Sequence, residues 1–225
     1  DKTAELLNGK NLDFALVTPP CQGMSKNGRG KLLAEIRAGR RSKVDQRNLL
    51  IVPSLEIIKK LKPTTVVFEN VPEMINTVIP DSDGVIKIVE LIKRELSGWS
   101  VEAKVIEFAD YGVPQRRQRL ITIATKNQKL LDFKRSRGSF FPSPTHSPNG
   151  CMFTEKWKTV RDVIGNFEYL DGLNKPKSEN HELHYVPKLD KLKYFWVSNT
   201  PKGKSAFDNQ CVECSFRENP THSAK

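Results

Sequence analysis

The sequence predicts an α/β fold, because runs of strand-forming residues alternate with segments of helical periodicity. The predicted strands are residues 14–18, 65–69, 101–108 and 120–125. Two amphipathic segments lie between the first three strands, and their apolar residues recur at the spacing of one helix face. We expect this alternation to build a mostly parallel sheet flanked by helices.

Local signals set the limits of the two helices. The first is predicted over residues 47–61 and is interrupted early by Pro53. Its predicted buried face is formed by residues at helical spacing, which are Leu50, Ser54, Ile57, Ile58 and Leu61. The second helix is predicted to begin at the cap Asp83 and to end at Gly98. Its apolar face is formed by Val85, Ile88, Val89, Ile92 and Leu96.

Beyond residue 127 the regular pattern ends. Residues 140–150 form a proline-rich connector, and residues 159–164 are predicted as a short helix capped by Thr159. From residue 171 onward no period is sustained, and lysine and aromatic residues are frequent. We therefore divide the chain into an α/β domain over residues 1–165 and a small irregular domain over residues 166–225.

The composition favours a nucleic-acid partner. The net charge is +11 and the pI is about 9.5, so the field of the protein attracts polyanions. No apolar stretch approaches the roughly 20 residues of a membrane span, so no membrane association is expected. Four cysteines are too few for a disulfide scaffold, which favours a reducing compartment, either cytoplasm or nucleus. The chain begins without methionine or a signal sequence, and we expect it to be a piece of a longer protein.

Two reactive side chains follow neighbouring predicted strands. Cys21 comes directly after Pro19 and Pro20, which end the first strand, and Glu69 ends the second. The carboxyl ends of parallel strands meet at one edge of a sheet, where ligands of α/β proteins bind. A thiolate at such an edge can act as a nucleophile. The simpler interpretation of Cys21 alone is a small residue in a turn.

Three motifs connect these residues to a known family. They are Pro20-Cys21-Gln22, Glu69-Asn70-Val71 and Gln115-Arg116-Arg117-Gln118-Arg119. In order and spacing they resemble the fourth, sixth and eighth motifs of the DNA cytosine-5 methyltransferases, and residues 45–50 resemble the weaker fifth motif. The resemblance covers roughly residues 11–165. It implies the second half of a Rossmann-like methyltransferase sheet, followed by part of a target-recognition region.

The resemblance assigns the catalytic roles. Cys21 attacks carbon 6 of cytosine, because carbon 5 is unreactive until a nucleophile has been added. Glu69 hydrogen-bonds or protonates the ring nitrogen N3 as charge develops. Arg117 and Arg119 are carried over as active-site residues and, alternating along a strand, are expected to share one face. Arg116 points away and is equally an ordinary surface charge.

Further residues are assigned to the substrate. Gln22 and Ser25 follow the nucleophile, and Asn70 is expected to position the loop that carries Cys21. Gln115 is a candidate substrate contact, with a loop residue bonded to its own backbone as an equal alternative. The target cytosine must leave the DNA stack. The cationic residues 26–43 form either a loop that closes over the base or a solvated charge run.

The family's methyl donor is S-adenosylmethionine. The family binds this donor mainly through its first three motifs, which are expected before residue 11 and are absent from the sequence. Pro20 and Leu49 are left as candidate donor contacts. We therefore expect the isolated chain to bind the donor weakly and to be inactive. Either a longer chain or a second polypeptide supplies the missing motifs.

The final region is a candidate DNA-recognition surface. Basic and aromatic residues interleave there, and they are Lys188, Lys191, Lys193, Tyr194, Trp196, Lys202 and Lys204. Tyr194, Phe195 and Trp196 are equally candidates for a core. Cys211 and Cys214 form half of a structural zinc site, which lacks a second pair of ligands in the sequence. Cys151 is interpreted as structural.

The resulting hypothesis is methyl transfer from S-adenosylmethionine to carbon 5 of cytosine in double-stranded DNA. A transfer RNA cytosine methyltransferase is one alternative, because it shares the cysteine and the glutamate. A non-catalytic DNA-binding module derived from a methyltransferase is the other. Restriction–modification and gene regulation both remain open as biological roles.

Overall fold

The computed structural model describes residues 7, 11–20, 46–82 and 84–204. Contacts divide the chain into two compact units, residues 1–163 and residues 164–225. None of the helices in the described ranges is long and apolar enough to cross a membrane.

All four predicted strands are present in the first unit, and they form one sheet among the described residues. The strands are β1 (Phe14–Val17), β2 (Thr65–Asn70), β5 (Ser100–Glu107) and β6 (Gln118–Thr125). Their order is β1-β2-β6-β5, with β1 and β2 parallel and both other pairs antiparallel. The α/β class is confirmed, and three of the four strands, β1, β2 and β5, run in the same direction as expected, whereas β6 runs antiparallel to both of its neighbours. Residues 108–117 are too short a connection for the crossover that a parallel pair needs, so β5 and β6 form a hairpin.

The first helix, α1, spans Ile51–Leu61 and follows a 3-10 helix over Gln46–Leu50. It buries Ile51, Leu55 and Ile58, whereas the predicted face residue Ile57 is half exposed. The predicted face was rotated, because a 3-10 helix has three residues per turn and shifts the phase of the helix that follows it.

The second helix, α2, spans Ile88–Glu95, so its predicted start at Asp83 was wrong. The preceding residues form a hairpin of β3 (Val78–Asp81) and β4 (Gly84–Lys87), which follows a 3-10 helix over Pro72–Asn76. Gly84 has a φ of +132°, which suits the reversal of the chain better than a helix start. Of the predicted apolar face, Ile88, Val89, Ile92 and Leu96 are buried as expected, whereas Val85 lies in β4 and is exposed.

The two faces of the sheet have different environments. The face that carries Val66, Phe68 and Leu120 packs against α1 and α2, and these three side chains are almost completely buried. Side chains alternate along a strand, so Glu69 lies on the opposite face. That face is less fully covered by the described residues, since Val67 and Ile121 are only partly buried.

The rest of the first unit is less regular and contains one helix that was not predicted. This helix, α3, spans Gln128–Arg137 and ends at Gly138. Asn127 caps its start, because the Leu130 backbone N–H donates a hydrogen bond to Asn127 Oδ1. Its polar sequence lacks the apolar stripe on which the prediction relied. Two short parallel strands follow, β7 (His146–Ser147) and β8 (Glu155–Lys156).

The short helix predicted after the connector is confirmed as α4 (Val160–Ile164). Thr159 caps it, because the Asp162 backbone N–H donates to Thr159 Oγ1 and the Thr159 backbone N–H donates to Asp162 Oδ2. This reciprocal pair satisfies two backbone donors at the helix start.

The second unit contains a helix, α5 (Lys191–Ser198), where no regular element was predicted. Its cap is Asp190, whose carboxylate accepts from the Lys193 backbone N–H. Elsewhere in the unit, the hydrogen bond from Lys175, together with one from Ser178, lowers the pKa of Glu168 to about 2. These ion-pair and cap contacts stabilise a unit with little regular structure.

Candidate active site

Asn70 connects the carboxyl ends of β1 and β2. Its side chain is 4% exposed; Nδ2 donates to the carbonyl of Pro19 at 2.9 Å, and Oδ1 accepts from the Val71 backbone N–H at 2.9 Å. The parallel register that pairs Val17 with Phe68 brings the chain after β1 beside the end of β2. The segment that leads into the first motif is therefore bonded to the second motif.

Glu69 pairs with one of the two predicted arginines. Arg119 Nε donates to Glu69 Oε1 at 2.6 Å, and the side chains of Arg119 and Glu69 are 18% and 33% exposed. Glu69 faces Ile121 across the β2–β6 ladder, so Arg119 is its diagonal neighbour on the same face of the sheet. A second bond, from Arg119 Nη1 to the Gln118 carbonyl, restricts the guanidinium further. The carboxylate is held in one orientation yet stays accessible.

Arg117 does not join this pair in the described contacts. Its side chain is exposed, while its backbone N–H donates to Glu107 Oε1 at 2.6 Å and its carbonyl accepts from Phe108. Gln115 is exposed as well. The Arg116 guanidinium, which was predicted to point away, lies 5.3 Å from the centre of the Trp157 ring. Among the described residues, β6 therefore brings Arg119 to Glu69, whereas Arg117 in the preceding loop has its side chain exposed.

The turn before this loop is held by contacts with residues outside the motifs. It is a 3-10 helix over Phe108–Tyr111, followed by Gly112 in the left-handed region with a φ of +83°. Asp110 accepts a hydrogen bond from Trp157 Nε1 at 2.9 Å, and Tyr111 donates to the Pro142 carbonyl at 3.0 Å. Trp157 was a possible signal in the sequence, because a largely buried indole requires a hydrogen-bond acceptor.

Leu49 and its neighbour Asn48 have side chains of the kind that contact a nucleoside-like donor. Leu49 is partly buried against the hydrophobic core. The adjacent Asn48 has a buried Oδ1 atom with no hydrogen-bond partner among the described residues. An apolar side chain beside an available acceptor suits a ligand that combines an aromatic base with polar groups. Pro20 is exposed after the end of β1.

Several predicted site residues lie outside the described ranges. They are Cys21, Gln22, Ser25, Cys211 and Cys214. No group of three or more potential metal ligands lies together within residues 11–20, 46–82 and 84–204. The zinc site stays a prediction to which these ranges add no support.

Cys151 is exposed. Its thiol is hydrogen-bonded to Thr154 Oγ1 at 3.1 Å, which lowers the pKa of Cys151.

In the second unit, the Tyr194 hydroxyl donates to Asp171, so it has a structural partner. The predicted basic residues Lys188, Lys191, Lys193, Lys202 and Lys204 are exposed.

Comparison with known proteins gives one family. The model of the family described as C-5 cytosine-specific DNA methylase matches residues 1–215. The chain is 28% identical to the type II methyltransferase M1.HgaI of Avibacterium volantium, over 93% of this chain and 51% of that protein. It is 28% identical to M1.HphI of Haemophilus parahaemolyticus, over 86% and 45%, and 33% identical to M.Bpa9945I of Bacillus paralicheniformis, over 77% and 35%. The chain spans about half the length of the first two relatives.

Proposed function

The chain belongs to the C-5 cytosine-specific DNA methylase family, and we propose that the protein containing it methylates carbon 5 of cytosine in double-stranded DNA. The observation that carries the proposal is the arrangement at one sheet edge. The Glu69–Arg119 pair lies there beside the Asn70–Pro19 bond that anchors the segment leading to Cys21. An oriented acid and an anchored nucleophile segment are what addition to a cytosine ring requires.

The chemistry assigned to these residues begins at carbon 6. The Cys21 thiolate forms a bond to carbon 6, and the electron pair of the 5,6 double bond moves into the ring toward carbon 5 and N3. Glu69 donates a proton or a hydrogen bond at N3 as negative charge develops there. Arg119 holds Oε1 of Glu69, and we assign Oε2 to the N3 edge of the base. Carbon 5 becomes nucleophilic, and its proton is lost after alkylation so that Cys21 can leave.

The methyl donor assigned to the site is S-adenosylmethionine, which supplies an electrophilic methyl group. Leu49 and Pro20 are the proposed contacts of this chain, and Asn48 offers the acceptor described above. Because the chain spans about half of its first relatives, we propose that a further segment or a second polypeptide completes the donor pocket.

The DNA assignment is preferred over both alternatives. The family model that matches is that of DNA methylases, so the transfer RNA methyltransferase receives no support. A non-catalytic module has no need for an acid paired as Glu69 is, nor for the cysteine of the first motif. The named relatives are bacterial type II methyltransferases, which favours a role in restriction–modification and a cytoplasmic location. The exposed lysines of the second unit favour contacts to the phosphate backbone, with the target base extruded.

The test is covalent trapping by the full-length protein that contains this chain. Duplex DNA of mixed sequence carries 5-fluorocytosine, because fluorine at carbon 5 cannot leave as a proton and the adduct persists. We expect a denaturation-resistant complex only when S-adenosylmethionine is added and none on RNA of matched composition. Cys21→Ser abolishes the adduct, Glu69→Gln slows its formation, and the matched control Cys151→Ser leaves it unchanged. An adduct that survives Cys21→Ser, or that forms preferentially on RNA, contradicts the proposal.

A further inference from the structure

A segment outside all of the predicted motifs holds the turn that leads to Arg119. We call residues 139–157 the strap. The Thr145 backbone N–H donates to the Asp110 carbonyl at 2.9 Å, and Trp157 Nε1 donates to the Asp110 carboxylate. Tyr111 donates to the carbonyl of Pro142. Consecutive residues of the turn are therefore fixed by a segment more than thirty positions away in the chain.

His146 is the buried centre of the strap. Its side chain is 7% exposed, and Nδ1 lies 2.8 Å from Thr145 Oγ1. The imidazole packs directly on Gly112, where an added Cβ would lie only 2.9 Å from the ring atom Cε1. The ring thus occupies the space that a side chain at position 112 would need.

Hydrogen bonding alone does not account for a histidine at this position. Nε2 is buried and has no hydrogen-bond partner among the described residues, and an oxygen of the mostly exposed Glu155 lies 3.4 Å away. A buried polar atom without a hydrogen bond is unfavourable, so the packing of the ring on Gly112 is a main favourable contact of this side chain, beside the bond to Thr145. What the contacts show is a rigid, planar group pressed against the backbone of the turn.

The turn and Arg119 are connected by a short, constrained loop. The Gln115 backbone N–H bonds to the Val113 carbonyl at 2.7 Å, and Arg116 lies over the strap residue Trp157. Arg117 is bonded through its backbone to Glu107. This loop is the direct connection between Gly112 and the start of β6, where Arg119 meets Glu69.

We propose that His146 is a positioning residue, whose ring sets the place of the Gly112 turn and thereby the alignment of Arg119 with Glu69. The inference rests on the proposed function, since it concerns the same acid. Misplacement of a catalytic group by about 1 Å can cost about a hundredfold in rate. A role through position predicts a loss in the chemical step without a matching loss in DNA binding.

The experiment uses the full-length protein, labelled S-adenosylmethionine and unmethylated phage DNA. We expect His146→Ala to lower kcat about tenfold or more while the DNA concentration for half-maximal rate changes less than about twofold. His146→Phe keeps a ring against Gly112 and should retain kcat within about threefold of the parent. Ser143→Ala, an exposed strap residue, is the matched control and should leave both parameters unchanged.

Three outcomes overturn the inference. One is an unchanged kcat in His146→Ala while Glu69→Gln is impaired, which leaves the proposed function intact. Another is an equal loss in His146→Ala and His146→Phe, since the nitrogens and not the ring position would then matter. The third is a loss in kcat that comes with weaker DNA binding and a lower thermal midpoint, which indicates a general structural role. Full activity of Glu69→Gln refutes the proposed function, and this inference with it.

Discussion

Asn70 provides the sharpest test of how the nucleophile segment is anchored. Asn70→Ala removes both side-chain bonds, whereas Asn70→Asp keeps the acceptor for the Val71 backbone N–H and loses the donor to Pro19. The aspartate also places a carboxylate oxygen near the Pro19 carbonyl, where the two oxygens repel each other. The pair of variants separates the anchor to Pro19 from the local bond to Val71.

The expected magnitudes follow from the burial and the bond count at this site. Losing a hydrogen bond and leaving its partner unpaired costs about 1–2 kcal/mol for each bond in such a setting. Asn70→Ala should therefore lower the free energy of unfolding by about 2–4 kcal/mol. For a chain of this size that corresponds to a fall of roughly 4–16 °C in Tm. Asn70→Asp should lower it by about 1–3 kcal/mol at neutral pH.

The rate of adduct formation tests the functional part of the argument. If the Pro19 anchor contributes about 1–2 kcal/mol to the alignment of the Cys21 segment, both variants should form the 5-fluorocytosine adduct roughly 5- to 30-fold more slowly. The matched control is Asn127→Ala, which removes a helix-cap bond at the far end of the sheet and costs about 1 kcal/mol of stability. Its adduct rate should not change. Asn70 variants that lose stability and yet keep the parental adduct rate would refute the anchoring role.

Three further predictions concern the acid pair, the turn and the second unit. Arg119→Lys cannot reproduce the Nε hydrogen bond to Glu69, so kcat should fall about 5- to 30-fold while DNA affinity is retained. This fall corresponds to a loss of about 1–2 kcal/mol in transition-state stabilisation, and an unchanged kcat argues against the pairing. Gly112→Ala combines a positive φ with the 2.9 Å contact to His146 and should lower the free energy of unfolding in urea by about 2–4 kcal/mol; a loss below about 0.5 kcal/mol means that the turn gives way freely. The pKa of Glu168 is lowered from 4.5 to about 2, so its contribution to stability is present above pH 4.5 and is lost as the pH falls toward 2. Glu168→Gln should flatten that part of an acid-unfolding curve followed by circular dichroism, and an unchanged curve would contradict the assignment.

The strands and the reactive residues were predictable because their signals are local. Alternating and β-branched runs identify strands whatever they pair with, and Glu69 lies at the end of its strand in the sequence. The hairpin before α2 was missed because Asp83 and Gly84 suit both a helix start and a tight turn. Only the packing of Ile79 and Ile86 against the core decides between these two possibilities.

The α/β class, the positions of the four strands and the residue types available for chemistry follow from local sequence, because covalent order and side-chain alternation are properties of short segments. The tertiary structure alone decided that β6 runs antiparallel between β2 and β5, and this pairing selects Arg119 over Arg117 as the partner of Glu69. It alone also showed the contact of His146 with Gly112. Both depend on which distant segments meet, and that choice follows from the total burial and hydrogen bonding of the folded chain.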